Sequence, residues 1–426
     1  MSKIFSKISV VGLGFVGLPL SLQFARSGVA VLGFDLDQQK VDSINAGKTY
    51  LKHFSSESIG EQVHANRLEA TTDPSRLLEV EAILICVPTP LDDHREPDLS
   101  FVLDTARNIA PYLVKGVLVS LESTTYPGTT EDELRKVLEE CSGMKAGIDF
   151  HLAYSPERED PGRTDASVKT IPKIAGGYTE KCAELAQALY GQALDQVHLV
   201  SSCRTAEATK LLENIFRSVN IALVNELKVV YEAMGIDVHE VIDAASTKPF
   251  GFMTFRPGPG LGGHCIPIDP FYLTWKAREF GKHTRFIELA GEINTAMPNY
   301  VISKVADALN DEGKAIKGAK ILVLGLAYKA NVNDCRESPS FVLMEKLEAK
   351  GAEVEFNDPF MPVVPPTREH AHFTGKQSVD IEDVYDLILV STDHADYKTF
   401  DFTGYSCPLV DSRNCISEKP QKYYQA

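Results

Sequence analysis

The hexapeptide GLGFVG, residues 12–17, follows the apolar run KISVV and opens the helical pattern FVGLPLSLQFARSG. Few segments of this length restrict a fold so much. A GxGxxG turn between strand and helix needs Gly12 for the tight turn, Gly14 so that a pyrophosphate can approach bare backbone, and Gly17 for close packing of helix on strand. The second strand, VAVLGFD, ends on Asp35, about twenty residues further on, where dinucleotide folds place an acid. A carboxylate there hydrogen-bonds a ribose 2′-hydroxyl and repels a 2′-phosphate. The segment therefore predicts a βαβ unit that binds NAD rather than NADP, with FAD the remaining rival.

Further apolar runs at AILICVP (82–88), GVLVSLES (116–123), FHLAYSP (150–156) and QVHLVSS (196–202) are separated mostly by helical spacing. Strands alternating with helices predict a parallel, doubly wound sheet over residues 1–203. From Arg204 the texture changes, and TAEATKLLENIFRSVNIALVNELKVVYEAMG keeps helical periodicity without Pro or Gly until Gly235. Helices are expected to continue to residue 312. From Lys317 the opening pattern returns in KGAKILVLGLAYKANVNDCRES, followed by a helix at 340–350 and by AEVEFNDP, DLILVST and CPLVDSR. The expected architecture is α/β: a Rossmann-like domain (1–203), a central helical, catalytic-loop and dimerisation segment (204–312), and a second, smaller Rossmann-like domain (313–426). The turn GLAYKA lacks the later glycines of GLGFVG, so the second domain is expected to hold something other than a dinucleotide pyrophosphate. An amphipathic central helix needs a covering surface, which predicts a homodimer or larger homo-oligomer.

Several classes of function are excluded by composition. A net charge of −16 gives no basic footprint for nucleic acid. No run reaches the ~20 apolar residues of a membrane span, and the N-terminus enters a strand directly, with no cleavage site. The eight cysteines (86, 141, 182, 203, 265, 335, 407 and 415) show no CxxC pairing, which fits free thiols in a reducing compartment and no metal site. A cytoplasmic protein is expected.

Candidate chemistry gathers in five places. In GPGLGGHCIPIDPFYLTW, residues 258–275, glycines precede Cys265, and Asp269-Pro270 reads as an N-cap with a first-turn proline of a helix ending at Gly281. Cys265 would then lie near the positive end of that helix, where a thiolate is favoured. STTYPGTT places Ser123 and Thr124 after a buried strand, and YSPERED places Glu157 and Arg158 past another. Lys210 and Asn214 stand four apart on one helical face. Lys329, Arg336 and Arg413 are cations near strand ends that could face phosphates. Each also has a structural reading: a buried small thiol, turn hydroxyls, a solvated charge run, an exposed helix lysine, solvated surface cations.

Taken together, GLGFVG, CVPTP, STTYPGTT, SPERxDPG, the KLLEN helix, GGHCIPIDP and GLAYKxNVxDxRESP resemble the UDP-glucose/GDP-mannose dehydrogenase family, the UDP-sugar 6-dehydrogenases, over nearly the whole chain. Where UDP-glucose enzymes of that family usually read GGSC followed by a lysine-aspartate pair, this chain reads GGHCIPIDP. That form is similar to the branch acting on UDP-N-acetylhexosamines, UDP-N-acetylglucosamine foremost, with UDP-N-acetylgalactosamine, UDP-N-acetylmannosamine and UDP-glucose as alternatives. The resemblance implies oxidation of the sugar C6 hydroxymethyl to a carboxylate, with two NAD consumed. It implies that Cys265 captures the aldehyde as a thiohemiacetal, which is oxidised to a thioester and hydrolysed.

The same resemblance gives Lys210 and Asn214 to a developing oxyanion, Asp269 to a water or proton shared with Lys210, and Thr124 and Glu157 to the attacking water. It extends the NAD site from Gly12, Gly14, Gly17, Asp35 and Thr124 to Phe15, Val16, Lys40, Thr89 and Arg336. The UDP-sugar site would take Glu157, Arg158, Lys210, Asn214, Arg256, Gly262, Tyr328, Lys329 and Arg413. Two rivals stand beside it. A two-electron β-hydroxyacid-type dehydrogenase shares the NAD fold and the Lys–Asn helix but needs no cysteine loop, and a nucleotide-sugar binder would keep the fold without turnover.

Overall fold

A computed structural model of the chain describes residues 5–51, 55–92, 96–158, 168–263, 265–367 and 369–426. Its contacts gather into two compact units, residues 1–213 with 271–283, and residues 214–270 with 284–426. The long helix Cys203–Ala233 passes from the first unit into the second at Asn214. The helix Cys265–Glu279 passes back at Phe271. Residues 204–312, expected as one segment, are thus shared between the two.

The first unit is built on eight strands: β1 (Lys7–Val11), β2 (Ala30–Phe34), β3 (Leu68–Thr71), β4 (Ala82–Ile85), β5 (Leu118–Leu121), β6 (His151–Tyr154), β7 (Lys173–Gly177) and β8 (Val197–Val200). Their spatial order is β3-β2-β1-β4-β5-β6-β7-β8. Alternate side chains feed two cores. Ile8, Val10 and Leu84 pack with Leu18, Leu22 and Phe24 of the first helix, Gly17–Arg26, while Val11, Ile83, Ile85 and Val119 pack with Val102, Ile109 and Leu134. Both faces are covered, which is why these strands read as continuous apolar runs. Each fully buried aliphatic side chain contributes about 1.5–3 kcal/mol. Strand order reverses at β1, which pairs with both β2 and β4, and a ligand crevice lies outside the carboxyl ends at such a switch.

The sheet departs from the expected all-parallel pattern at one pair, because β7 runs antiparallel to β6. Sequence reading missed β7, since PKIAGG looks like a turn. Its glycines answer to packing: a Cβ on Gly176 would strike the Ser202 carbonyl at the start of the long helix, and one on Gly177 the backbone of Ala183.

The second unit carries β9 (Lys320–Leu324), β10 (Glu353–Asn357), β11 (Leu387–Val390), β12 (Leu409–Asp411) and β13 (Tyr423–Gln425), all parallel in the order β10-β9-β11-β12-β13. Ile321, Val323 and Leu387 pack with Phe341 and Leu347 of the helix Pro339–Ala349 and with Val301 and Val305 of the helix Arg285–Asp311. Leu322, Leu324 and Ile388 form the core of the opposite face. No helix among the described residues is long and apolar enough to cross a membrane.

Candidate active site

The glycine turn of the first unit has the geometry its spacing predicts. Gly12 takes φ +90°, and a Cβ there would lie 2.8 Å from the Cys86 carbonyl oxygen. A Cβ on Gly17 would run into the Gly12 carbonyl, so this glycine is what lets the helix close on the strand. Around Gly14 nothing lies within 4 Å of such a Cβ, which leaves the backbone open where a pyrophosphate would approach. Asp35, at the end of β2, is largely buried and accepts the Leu13 N–H at 2.8 Å and the Asp37 N–H at 2.9 Å, with the Lys40 ammonium at 3.3 Å. Phe15 is exposed on the turn, and Val16 precedes the first helical residue. These residues fit NAD: an open cradle, a helix N-terminus and an acid at the ribose position. Thr89 is buried, and its carbonyl accepts the Tyr272 hydroxyl at 2.8 Å.

Neighbouring strands β5 and β6 bring the next groups to the same edge. Thr124 follows β5, beside Ser123, whose hydroxyl donates to the Val87 carbonyl at 2.6 Å. Glu157 follows β6, and its carbonyl accepts the Lys210 ammonium at 2.6 Å. Lys210 is only 6% exposed, so the long helix turns this lysine inward rather than into solvent. Arg158 is held by Glu213 at 2.6 Å and by the Pro172 carbonyl at 2.5 Å. The rest of the SPERxDPG motif lies outside the described residues.

Two buried acids here escaped sequence reading. Glu207, one turn before Lys210, accepts the N–H groups of Gly128 and Thr130 at 2.6 and 2.9 Å and the Thr130 hydroxyl at 2.7 Å. It caps the turn that leaves STTYPGTT from 79 residues away in sequence. Burial outweighs these hydrogen bonds and pushes its carboxyl up to about 7. Glu122, directly after β5, pairs with Lys173 and receives the Tyr190 hydroxyl, which also meets Ser120 at 2.8 Å. Burial raises Glu122 above the ordinary carboxylate range although the Lys173 charge pulls the other way. A small pocket of about 30 Å³, partly open to solvent, is bounded by Val16, Leu20, Glu122, Glu157, Lys173 and Leu194 among others.

In the second unit, the helix expected to start at Asp269-Pro270 starts four residues earlier, at Cys265. Pro267 takes the first-turn position, where its missing N–H is unneeded, and Pro270 lies inside. Asp269 is therefore no N-cap. Its carboxylate, 2% exposed, accepts the Asn214 amide at 2.5 Å, and Asn214 is 5% exposed. Cys265 is the first residue of the helix, one turn before Asp269; its side chain lies outside the described atoms.

The glycines before Cys265 are shaped by packing. The Arg413 guanidinium lies over Gly258, whose N–H donates to Asn225 at 2.9 Å. Cβ atoms on Gly262 and Gly263 would lie 2.7 Å from the Cβ of Tyr328 and 2.9 Å from its ring. Arg413 donates to the Ser391 carbonyl at 2.8 Å, and burial pulls its guanidinium below its ordinary value. Lys329 is half-buried on the turn after β9. Arg256 pairs with Asp243, and Arg336 with Asp334 at 2.6 Å. Arg336, expected at NAD, thus belongs to the C-terminal unit, where its carbonyl accepts the Gly263 N–H at 3.0 Å.

Three family models match in order: the NAD binding domain of the UDP-glucose/GDP-mannose dehydrogenase family over residues 6–194, its central domain over 204–296 and its UDP binding domain over 322–418. A UDP-N-acetyl-D-glucosamine 6-dehydrogenase of Pseudomonas aeruginosa is 36% identical, covering 92% of this chain and 91% of its own length. An NDP-N-acetyl-D-galactosaminuronic acid dehydrogenase of Ralstonia nicotianae is 35% identical over 97% of both chains. The solved structure of a UDP-D-ManNAc dehydrogenase from Pyrococcus horikoshii superposes with a TM-score of 0.89 at 33% identity over 98% of both chains. With the dinucleotide cradle, the two sheets and all three domain models in agreement, the chain belongs to the UDP-glucose/GDP-mannose dehydrogenase family and is an NAD-dependent nucleotide-sugar dehydrogenase.

Proposed function

We propose that the chain oxidises the C6 hydroxymethyl of a UDP-N-acetylhexosamine, UDP-N-acetyl-D-glucosamine foremost, to the uronic acid through Cys265. The observation that carries this is the buried Asn214–Asp269 hydrogen bond, one helical turn from Cys265. An ionisable carboxylate withdrawn from water costs several kcal/mol unless it is compensated, and such groups concentrate at sites of chemistry. Relatives named for UDP-N-acetyl-D-glucosamine, NDP-N-acetyl-D-galactosaminuronic acid and UDP-D-ManNAc support the class of sugar.

NAD, when bound, accepts one hydride in each of the two oxidations. The chain's own residues handle the rest. The Cys265 sulfur adds to the C6 aldehyde, oxidation of that adduct leaves a thioester, and water releases the acid and the thiol. Lys210 and Asn214 donate to the oxygen as it gains charge, and Asp269 takes up or returns the proton. Thr124 and Glu157 order the water and assist its deprotonation. The balance is one alcohol, two NAD and one water giving one carboxylate, two NADH and three protons. Residues 1–203 would serve the cofactor, 204–312 the cysteine loop and dimerisation, and 313–426 the UDP-sugar, in a cytoplasmic enzyme.

The test supplies each UDP-sugar in limiting amount with excess NAD. Two NADH per UDP-N-acetylglucosamine and a single acid product are expected. One NADH per sugar, with aldehyde released, would remove the thioester route, and preference for another sugar would move the substrate within the class.

A homodimer is part of the same proposal. Phe216, Leu223 and Val230 are exposed along the long helix at heptad spacing, with exposed Met234 just past its end, one stripe that a second copy would cover. Light scattering at micromolar concentration is expected to give twice the chain mass, and a monomeric mass would count against it.

A further inference from the structure

Both sheets open with the same device. In the N-terminal unit Gly12 turns at φ +90°, its N–H donates to the Phe34 carbonyl at 2.8 Å, and Asp35 accepts the Leu13 N–H at 2.8 Å. In the C-terminal unit Gly325 turns at φ +88°, its N–H donates to the Asn357 carbonyl at 2.8 Å, and Asp358 accepts the N–H groups of Leu326 and Ala327 at 2.6 and 2.9 Å. Asp358 is therefore the counterpart of Asp35, the acid that a dinucleotide fold offers to a ribose.

What stands beyond the two acids differs. Asp35 is followed by the Lys40 ammonium, a flexible and partly exposed group. Asp358 is sealed by His394, which is fully buried, with Nε2 3.1 Å from the carboxylate. The imidazole stacks on Phe360 at 5.0 Å and meets the edge of Tyr397 at 5.5 Å. Its other nitrogen, Nδ1, accepts the Asn331 N–H at 2.8 Å, so the ring proton is on Nε2 and is donated to Asp358. Asn331 adopts φ +60°, unusual for a residue with a side chain, and its Oδ1 accepts the Ala395 N–H at 3.0 Å. Burial alone would raise the Asp358 carboxyl, but the hydrogen bond from His394, with those from the two backbone N–H groups, holds it below its ordinary value.

We propose that His394 is a positioning residue of the nucleotide-sugar subsite: it fills the ribose position of the second sheet and, through Asn331, latches the turn carrying Tyr328 and Lys329 in the conformation that receives a UDP-sugar. The same contact that excludes a dinucleotide thus shapes the turn for its own ligand. The ligand identity rests on the function proposed above, whereas the latch does not.

The test compares His394→Ala with His394→Asn, whose amide oxygen can accept near the place of Nδ1. Four quantities are measured on the full chain: hydrogen exchange of the 326–331 amides, the affinities for UDP alone and for NAD by calorimetry, and the UDP-sugar KM. His394→Ala is expected to speed exchange, to weaken UDP and raise the UDP-sugar KM by about tenfold or more, and to leave NAD affinity within about twofold. His394→Asn is expected to recover most of the UDP loss. Unchanged exchange, or faster exchange with unchanged UDP affinity, would overturn the proposal. So would a parallel fall in UDP and NAD affinity that His394→Asn does not recover, because that describes a general packing role. If the unsubstituted protein bound no UDP, the proposed function would fail, and the exchange data would still decide the latch.

Discussion

Cys265→Ser is expected to lower steady-state NADH formation from the UDP-sugar by on the order of 10³-fold or more, roughly 4 kcal/mol of transition-state stabilisation. A thiol is intrinsically nucleophilic, whereas a serine hydroxyl needs a base poised to deprotonate it. Cys265 begins its helix, and the unsatisfied backbone N–H groups of a helix N-terminus favour a thiolate but do little for a neutral hydroxyl. The first hydride leaves from the alcohol carbon and needs no sulfur; the second leaves from an adduct that serine forms poorly. With enzyme in excess over sugar, the variant should therefore give at most one NADH per sugar and no acid. Two NADH per sugar, or a steady-state rate within about tenfold of the unsubstituted enzyme, would exclude the thioester route.

The parts of this molecule legible in sequence are those whose cause is local. Gly12 and Gly17 are needed by the turn they sit in, and β4 and β5 announce themselves because both of their faces are buried. Where the cause lies far along the chain, sequence reading failed or stopped short. Gly176 and Gly177 look like a turn until Ser202 and Ala183 are brought against them. Asp269 looks like a cap because Pro270 follows it; its partner Asn214 is 55 residues away, and no spacing rule connects the two. Arg158 was visible as a charge, but its pairing with Glu213, 55 residues away, was not. His394 carried no signal at all, because its meaning depends on Asp358 standing where Asp35 stands in the other sheet.

Lys173→Met is expected to destabilise the N-terminal unit by about 3–5 kcal/mol, the range found when one partner of a buried ion pair is removed. Glu122 has no exposed side-chain surface, and Lys173 is the cation paired with it. Methionine fills much of the lysine volume, so the loss reports the stranded carboxylate rather than a cavity. Its pH dependence has a definite sign. Burial already raises Glu122 above its ordinary value, and removing the Lys173 charge raises it further. A carboxyl raised in the folded state favours folding below its unfolded pKa, and that contribution is lost as pH rises through the folded value. The deficit of Lys173→Met should accordingly be small near about pH 5 and large near about pH 8 in urea denaturation. Adding Glu122→Gln removes the stranded charge while keeping an acceptor for the Tyr190 hydroxyl, so the double variant should regain most of the loss. A deficit under about 1 kcal/mol, or one equal at the two pH values, would mean that water reaches Glu122 and that the pair is not sealed beneath the pocket it shares with Val16 and Glu157.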